Sequence, residues 1–188
     1  AGAVPEGYTY EELRPLIAQT LGAGLSVLLR GHPGVGKSTL ARELASAMGL
    51  DLIDIRLAQR DPADLCGVYF PDRDRKVLDL FPPEWVRRAC ERPGFVFLDE
   101  INAAVTKLHQ AVAYQIVLEH RVGAFPFHEN TVVMAAGNLE EDNAIVTALS
   151  SALCNRFAHY VLRVDAKTWV EWGSGEGIEP SILAYVGR

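Results

Sequence analysis

The stretch GHPGVGKS, Gly31 to Ser38, constrains this chain more than any other feature. It has the spacing G-x-x-x-x-G-K-[ST], follows the apolar run LSVLLR and opens a helical pattern that runs to Met48. Glycines in such a loop let backbone N–H groups turn toward phosphate oxygens at the positive end of a helix. The sequence therefore predicts a strand, a phosphate-binding loop and a helix, with loop residues Gly31, His32, Pro33, Gly34, Val35, Gly36, Lys37, Ser38 and Thr39.

Two side chains of this loop carry the chemistry of nucleotide binding. Lys37 is expected to bring positive charge to the β- and γ-phosphates of ATP, and the Ser38 hydroxyl is expected to bind Mg²⁺. A glycine-rich turn that binds nothing is the alternative. The position of the motif between a strand and a helix argues against that alternative.

A second buried strand, FVFLDE, ends in two carboxylates. In an open α/β sheet, ligands bind beyond the carboxyl ends of the strands, so Asp99 and Glu100 are expected at that place. Asp99 is predicted to bind Mg²⁺ directly or through water, and Glu100 is predicted to orient and deprotonate the attacking water. By itself an Asp-Glu pair is as typical of an acidic helix start.

The strand VVMAAGN ends in a polar amide, Asn138. An asparagine side chain has both a donor and an acceptor, so it can position a water between Glu100 and the γ-phosphate. A turn-forming Gly-Asn pair explains the same residues equally well without further context.

Strand-like and helical patterns alternate along the chain, which predicts an α/β domain with a mainly parallel sheet. GVYF and KVLDL flank the charged turn PDRDR and predict a small inserted hairpin. We expect a single domain over residues 1–188, with a core at 8–165 and the start of a C-terminal helical segment at 166–188. The predicted core strands are LSVLLR, DLIDIRLA, GFVFLDE, TVVMAAGN and HYVLRV. The predicted helices are YEELRPLIAQTL (weakened or shifted by Pro15), 37–48, PEWVRRACER, TKLHQAVAYQIVLEH, ALSSALCNRF and PSILAYV.

Composition and the lengths of the apolar runs argue against several functional classes. The 188 residues are 49% hydrophobic, enough for an ordinary core, and the net charge of −6 argues against a surface built for nucleic acid. Apolar runs stay shorter than the roughly 18 residues that span a bilayer, and a secretion signal is not apparent, so we expect a soluble cytoplasmic protein without a membrane partner. Cys66, Cys90 and Cys154 are too widely spaced for a zinc site and are expected to be reduced thiols.

Four segments, taken together and in this order, resemble the AAA+ ATPases and, among them, the MoxR-like branch. They are GHPGVGKST, FVFLDEINAA, VVMAAGN and LCNRF. The resemblance covers roughly residues 13–164, and the two segments RDPADLCGVYFPD and LEHRVGAFPF are similar to hairpins of that branch. It implies a three-layer P-loop NTPase fold with small hairpin insertions and a five-stranded parallel sheet in the order 5-1-4-3-2. The strand before Asn138 would then lie between the strand before Lys37 and the strand that ends at Asp99.

The resemblance also implies an activity and partners. The activity would be Mg²⁺-dependent ATP hydrolysis with Asn138 as the sensor-one residue, in a homo-oligomer, commonly a hexameric ring. Arg156 would reach the γ-phosphate held by a neighbouring subunit. The energy would remodel a client protein or insert a metal centre or cofactor, with a von Willebrand factor A-type protein as a possible client. For Arg156 the alternative is an arginine that caps the carbonyls at a helix end.

The sequence departs from the family pattern in two places, and two other functions are considered beside ATP-driven remodelling. The chain ends at Arg188, so the helical lid of the family is expected to be absent or truncated. Asn155 replaces the acidic residue that many relatives carry before the arginine.

A nucleic-acid motor on the same core would need a basic pore loop or an added DNA-binding domain, and neither is visible. A nucleotide-gated binding module with negligible hydrolysis is the other alternative, and Glu100 argues against it.

Overall fold

The computed structural model describes residues 7–102, 106–139, 149–163, 166–175 and 177–186. Its strands are β1 (Ser26–Arg30), β2 (Asp51–Arg56), β3 (Val68–Asp72), β4 (Val77–Phe81), β5 (Gly94–Asp99), β6 (Arg121–Val122), β7 (Phe125–Pro126), β8 (Val132–Gly137) and β9 (Phe157–Val161). Its α-helices are α1 (Tyr10–Gly22), α2 (Lys37–Ala47), α3 (Pro62–Cys66), α4 (Glu84–Glu91), α5 (Lys107–Tyr114), α6 (Ser151–Cys154), α7 (Ala166–Gly175) and α8 (Pro180–Val186). Among the described helices, none is both long and apolar enough to cross a membrane.

The central sheet of the described residues has five parallel strands in the order β2-β5-β8-β1-β9. When these core strands are numbered along the chain, the order is 5-1-4-3-2, which confirms the order that the family resemblance implies. The sheet is covered on both faces, which explains why its strands read as continuous apolar runs. In β5, Phe95 and Phe97 pack into one core cluster, whereas Val96 and Leu98 pack into the other on the opposite face.

Helix α1 continues through Pro15, although the sequence predicts a weakened or shifted start. A capping box holds the first turn, because Thr9 accepts from the Glu12 N–H and Glu12 accepts from the Thr9 N–H. The helix also buries Leu13, Ile17 and Leu21. Pro15 lies on the exposed side, where water can satisfy the carbonyl that lacks its helical donor. Tertiary burial therefore outweighs the local effect of the proline.

Other elements differ from the prediction at their ends. The helix predicted to run to His120 leaves α-geometry after Tyr114 and closes with a π-helical turn at Gln115–Glu119. His120 adopts a left-handed conformation, which ends this turn directly before β6. The predicted strand after Leu50 ends at Arg56 and is followed by a short 3₁₀ turn.

The segment predicted to be helical around LCNRF is shorter than expected. Its first residue, Ala148, lies outside the described residues, and the described part forms only the four-residue helix α6. Phe157 already belongs to β9, because it pairs with Ser26 of β1.

The two predicted hairpins are both present. Strands β3 and β4 pair antiparallel, with Val68 opposite Phe81, and the short strands β6 and β7 pair antiparallel just before β8. The β3–β4 hairpin leaves large apolar side chains about half exposed, including Tyr69, Phe70 and Leu78. It joins the core at Gly67, which has a φ of +92°.

Gly67→Ala is expected to destabilise the fold by about 3 kcal/mol, because alanine is strained at this φ and its Cβ would overlap the Phe81 carbonyl oxygen. Gly24→Ala is the matched control, since Gly24 also has a positive φ, +78°, but an added Cβ there would lie more than 4 Å from every described residue other than its two chain neighbours. It should cost only about 1 kcal/mol. Urea unfolding measures both, and equal costs would show that the contact with Phe81 contributes nothing.

Candidate functional site

The sheet order brings three functional segments to one place. Strands β1, β5 and β8 are neighbours and parallel, so their carboxyl ends lie side by side, with Arg30 opposite Gly137 and Leu98 opposite Ala135. The glycine-rich loop follows β1, Asp99 ends β5, and Asn138 follows β8. We call this region the carboxyl end of the sheet, and it is where α/β proteins bind ligands.

The glycine-rich loop has the backbone conformation that its sequence predicts. Gly34 and Gly36 have φ values of +78° and +93°, in the left-handed region that favours glycine. Gly36 is also the N-cap residue of α2 and has no side chain to cap it. The N–H groups of the first turn of α2 are therefore oriented toward the loop and suited to bind an anion.

Lys37 is almost completely buried, with 8% of its surface exposed, and its ammonium group joins the loop to the end of β8. Its Nζ donates to the carbonyl oxygens of Gly31 and His32 at 2.8 and 2.9 Å. It also donates to Oδ1 of Asn138 at 3.1 Å. The structure thus places the predicted phosphate-binding lysine and the predicted sensor amide in direct contact.

Ser38 and Asp99 form a second contact at the same end of the sheet. The Ser38 hydroxyl donates to Oδ2 of Asp99 at 2.8 Å, and the N–H of Glu100 donates to Oδ1 of Asp99 at 2.9 Å. Both oxygens of the carboxylate are held in place. A hydroxyl beside a carboxylate is a pair of hard oxygen donors, which is the ligand type that Mg²⁺ prefers.

A metal at this place could not be held by protein side chains alone. Within the described ranges, no group of three or more His, Cys, Asp or Glu side chains could hold a metal ion. Mg²⁺ commonly takes one or two protein ligands and completes its shell with water and phosphate oxygens. The Ser38–Asp99 pair fits that requirement.

Glu100 has an unusual backbone conformation for a glutamate. Its φ is +56°, in the left-handed region, which costs a residue with a Cβ about 1–2 kcal/mol. The residues on either side are anchored, because Asp99 is bonded to Ser38 and the Ile101 N–H donates to the Ala136 carbonyl at 3.0 Å. Strained residues of this kind persist where the surroundings fix them, and they cluster at functional sites. No described residue forms a hydrogen bond or ion pair with the half-buried Glu100 carboxylate.

Arg156 does not join this group. It precedes β9, and because Phe157 pairs with Ser26 at the start of β1, Arg156 lies at the amino end of the sheet. The five residues of β1 separate the two ends by roughly 17 Å. Arg156 is exposed, and its guanidinium has no hydrogen bond or ion pair with the residues that the structure describes, including the carbonyls at the end of α6.

Sequence reasoning missed two residues that contact the site. Asn102 forms two hydrogen bonds with the backbone of Asn138. Tyr10, at the start of α1, places its ring beside the loop, 3.8 Å from where a Cβ on Gly36 would lie. The position of Asn102 two residues after the acidic pair was the available signal, whereas Tyr10 gave none because its contact is distant in sequence.

The charges near the site affect neighbouring groups. Burial raises the pKa of Asp54 on β2, and the negative charge of Asp99 on the adjacent strand raises it further. Burial also raises the pKa of the Tyr10 hydroxyl, with an added contribution from the charge of Glu43. The Tyr10 hydroxyl therefore keeps its proton to a higher pH than an ordinary tyrosine does.

Comparison with known proteins identifies the family. Residues 27–166 match the family described as "ATPase family associated with various cellular activities (AAA)". A 114-residue stretch is 32% identical to midasin of Giardia intestinalis, covering 58% of this chain and 2% of midasin. A 143-residue stretch is 32% identical to ATPase family gene 2 protein homolog B of Bos taurus, covering 72% of this chain and 17% of that protein. This chain therefore corresponds to a small part of these relatives.

A solved structure shows the same fold. The crystal structure of a proposed ATPase from Cytophaga hutchinsonii matches with a TM-score of 0.61 at 19% sequence identity, covering 90% of this chain and 51% of that one. The family match spans the loop, both acidic residues, Asn138 and Arg156, so it includes all the segments assembled above. The chain belongs to the AAA family of ATPases.

Proposed function

We propose that this domain binds ATP with Mg²⁺ and hydrolyses it at the carboxyl end of the sheet. One observation carries the proposal: Lys37 and Ser38 of the glycine-rich loop are bonded to Asn138 and Asp99, which come from two other strands. A loop that merely turned the chain would not need a buried lysine and two polar partners there. Membership of the AAA family supports nucleotide binding independently.

The protein groups have separate roles in this proposal. The N–H groups of the loop and the first turn of α2 bind the phosphates, and Lys37 neutralises charge on the β- and γ-phosphates. Ser38 and Asp99 would hold Mg²⁺, which when bound supplies charge neutralisation for the transferring phosphoryl group. Asn138 positions the attacking water, and Glu100 accepts its proton.

The oligomer and the client belong to the same proposal. AAA proteins commonly assemble as rings, and we infer a homo-oligomeric ring, hexameric in the usual case, in which Arg156 completes the site of a neighbour. The hairpins β3–β4 and β6–β7 support assignment to the MoxR-like branch. By analogy with that branch, the work done is remodelling of a client or insertion of a metal centre or cofactor, with a von Willebrand factor A-type protein as the client.

Asp99→Asn tests the metal part of the proposal. The wild-type protein should release phosphate from ATP with Mg²⁺ and should stop when the metal is chelated. Asp99→Asn keeps the shape and the acceptor oxygen for Ser38 but removes the charge, so half-maximal turnover should need about tenfold more Mg²⁺. Asp54→Asn, on the adjacent strand, is the matched control and should leave the Mg²⁺ requirement unchanged. A Mg²⁺ requirement that moved in neither variant would show that Asp99 does not bind the ion.

A further inference from the structure

Asn102 is a buried amide that replaces a missing strand neighbour. Only 8% of its surface is exposed. Its Nδ2 donates to the Asn138 carbonyl at 2.9 Å, and its Oδ1 accepts from the Asn138 N–H at 3.1 Å. One side chain thus satisfies both backbone groups of Asn138.

The need for such a side chain follows from the register of the sheet. The pairing of β5 with β8 ends at Leu98 opposite Ala135, so Asn138 extends beyond its neighbouring strand. A side-chain amide carries the same donor and acceptor as a peptide group and can continue the ladder. Asn102 does this from the turn that follows Glu100.

Gly137 makes room for the contact. A Cβ added to Gly137 would lie 2.8 Å from Oδ1 of Asn102, closer than real Cβ atoms approach. The φ of Gly137 is not in the left-handed region, so its glycine is explained by space and not by conformation. Gly137 therefore leaves the space for the Asn102 amide, and the backbone of Asn138 supplies its hydrogen-bond partners.

We propose that Asn102 is a positioning residue. It fixes the backbone of Asn138 and thereby holds the side-chain amide of Asn138, the proposed sensor, against Lys37. The two hydrogen bonds to the backbone of Asn138 hold its Cα in place, and the side chain that starts there has its Oδ1 3.1 Å from Lys37 Nζ. The same turn holds Glu100 between Asp99 and Asn102, so the segment carrying the proposed base is tied to the segment carrying the sensor. This inference rests on the proposed function, since it assigns Asn102 an effect on ATP hydrolysis.

The test replaces Asn102 in the whole protein. Asn102→Leu removes both bonds while keeping the number and branching of the side-chain heavy atoms, and we expect kcat for ATP hydrolysis to fall about tenfold to a hundredfold while KM changes less than about threefold. Asn102→Asp keeps the acceptor for the Asn138 N–H and should retain more activity than Asn102→Leu. Combined with Asn138→Ala, Asn102→Leu should cause little further loss, because both changes remove the same alignment.

A structural readout and a control separate positioning from general destabilisation. Amide hydrogen exchange at Asn138, followed by NMR without nucleotide, should be at least about tenfold faster in Asn102→Leu than in wild type. Thr131→Val is the control: Thr131 is 3% exposed at the opposite end of β8, and its hydroxyl accepts from the Gly94 N–H and donates to the Ala89 carbonyl. It should lower stability and leave kcat unchanged.

Two failures are distinguishable. If wild type hydrolyses ATP and a folded Asn102→Leu protein retains both the wild-type kcat and slow exchange at Asn138, the positioning role is overturned and the proposed function stands. The same holds if a folded Asn102→Asp protein, which lacks the donor to the Asn138 carbonyl, keeps the full wild-type kcat. The role is also overturned if Thr131→Val lowers kcat as much as Asn102→Leu. If assembled wild type does not hydrolyse ATP, the proposed function fails, and the role of Asn102 in hydrolysis fails with it.

Discussion

Arg156→Ala is expected to reduce ATP turnover about a thousandfold without weakening nucleotide binding within the same subunit. The reason is geometric: Arg156 lies at the amino end of the sheet, and the length of β1 separates it from the phosphate loop of its own chain. An exposed guanidinium without a partner among the described residues is available to a second copy. An arginine supplied across a subunit boundary stabilises the charge of phosphoryl transfer at the neighbouring site.

Mixing two inactive variants tests whether the sites are shared. Lys37→Ala cannot hold the phosphates but keeps Arg156, whereas Arg156→Ala has the opposite defect. In a ring with head-to-tail contacts, random mixing in equal amounts restores both residues at about a quarter of the sites, so about a quarter of the wild-type activity should return. Arg121→Ala is the control, since Arg121 is also exposed but is paired with Glu119. Full activity of Arg156→Ala at every protein concentration would contradict the shared site, as would a mixture that stays inactive.

Glu100→Gln is expected to lower the rate of hydrolysis by about a hundredfold to ten-thousandfold while MgATP still binds. Glutamine preserves the size of the side chain and its place after Asp99 but cannot accept the proton of the attacking water. Binding should persist because Lys37, Ser38 and Asp99 are bonded independently of the Glu100 carboxylate. Single-turnover hydrolysis and equilibrium binding of labelled ATP measure the two quantities separately.

The control for this substitution is Glu119→Gln, an exposed glutamate paired with Arg121. It should leave both quantities unchanged. A Glu100→Gln protein with the wild-type rate would remove the assignment of the base. A wild-type protein that binds ATP but hydrolyses it no faster than Glu100→Gln would instead be a nucleotide-gated binding module.

The fold was predictable from the sequence wherever a local pattern determined it. The spacing of Gly31 to Ser38 fixes a strand, a loop and a helix because each glycine and the lysine have a defined position relative to phosphate. The continuous apolar strand before Asp99 indicates a sheet that is covered on both faces. The sheet order itself followed from the family resemblance and not from the periodicity of the strands.

The contacts that complete the site could not be predicted, because they join residues far apart in the chain. Asn102 and Asn138 are 36 residues apart, and an asparagine after an acidic pair is equally typical of a turn. Gly67 is required because of the Phe81 carbonyl, which only the closed hairpin brings near. Helix α1 tolerates Pro15 for a similar reason, since burial on the opposite side of the helix is a tertiary effect.

The left-handed backbone at Glu100 has a consequence for engineering this domain. Glycine would relieve the conformational strain at this position, so a library screened only for folded yield or heat resistance would tend to recover variants that have lost the carboxylate. Such a screen would favour variants with lower ATP turnover, and the loss of turnover would not be detected because only folding is scored. Stabilising this domain by selection therefore requires that phosphate release, the activity proposed for it, be scored in the same experiment.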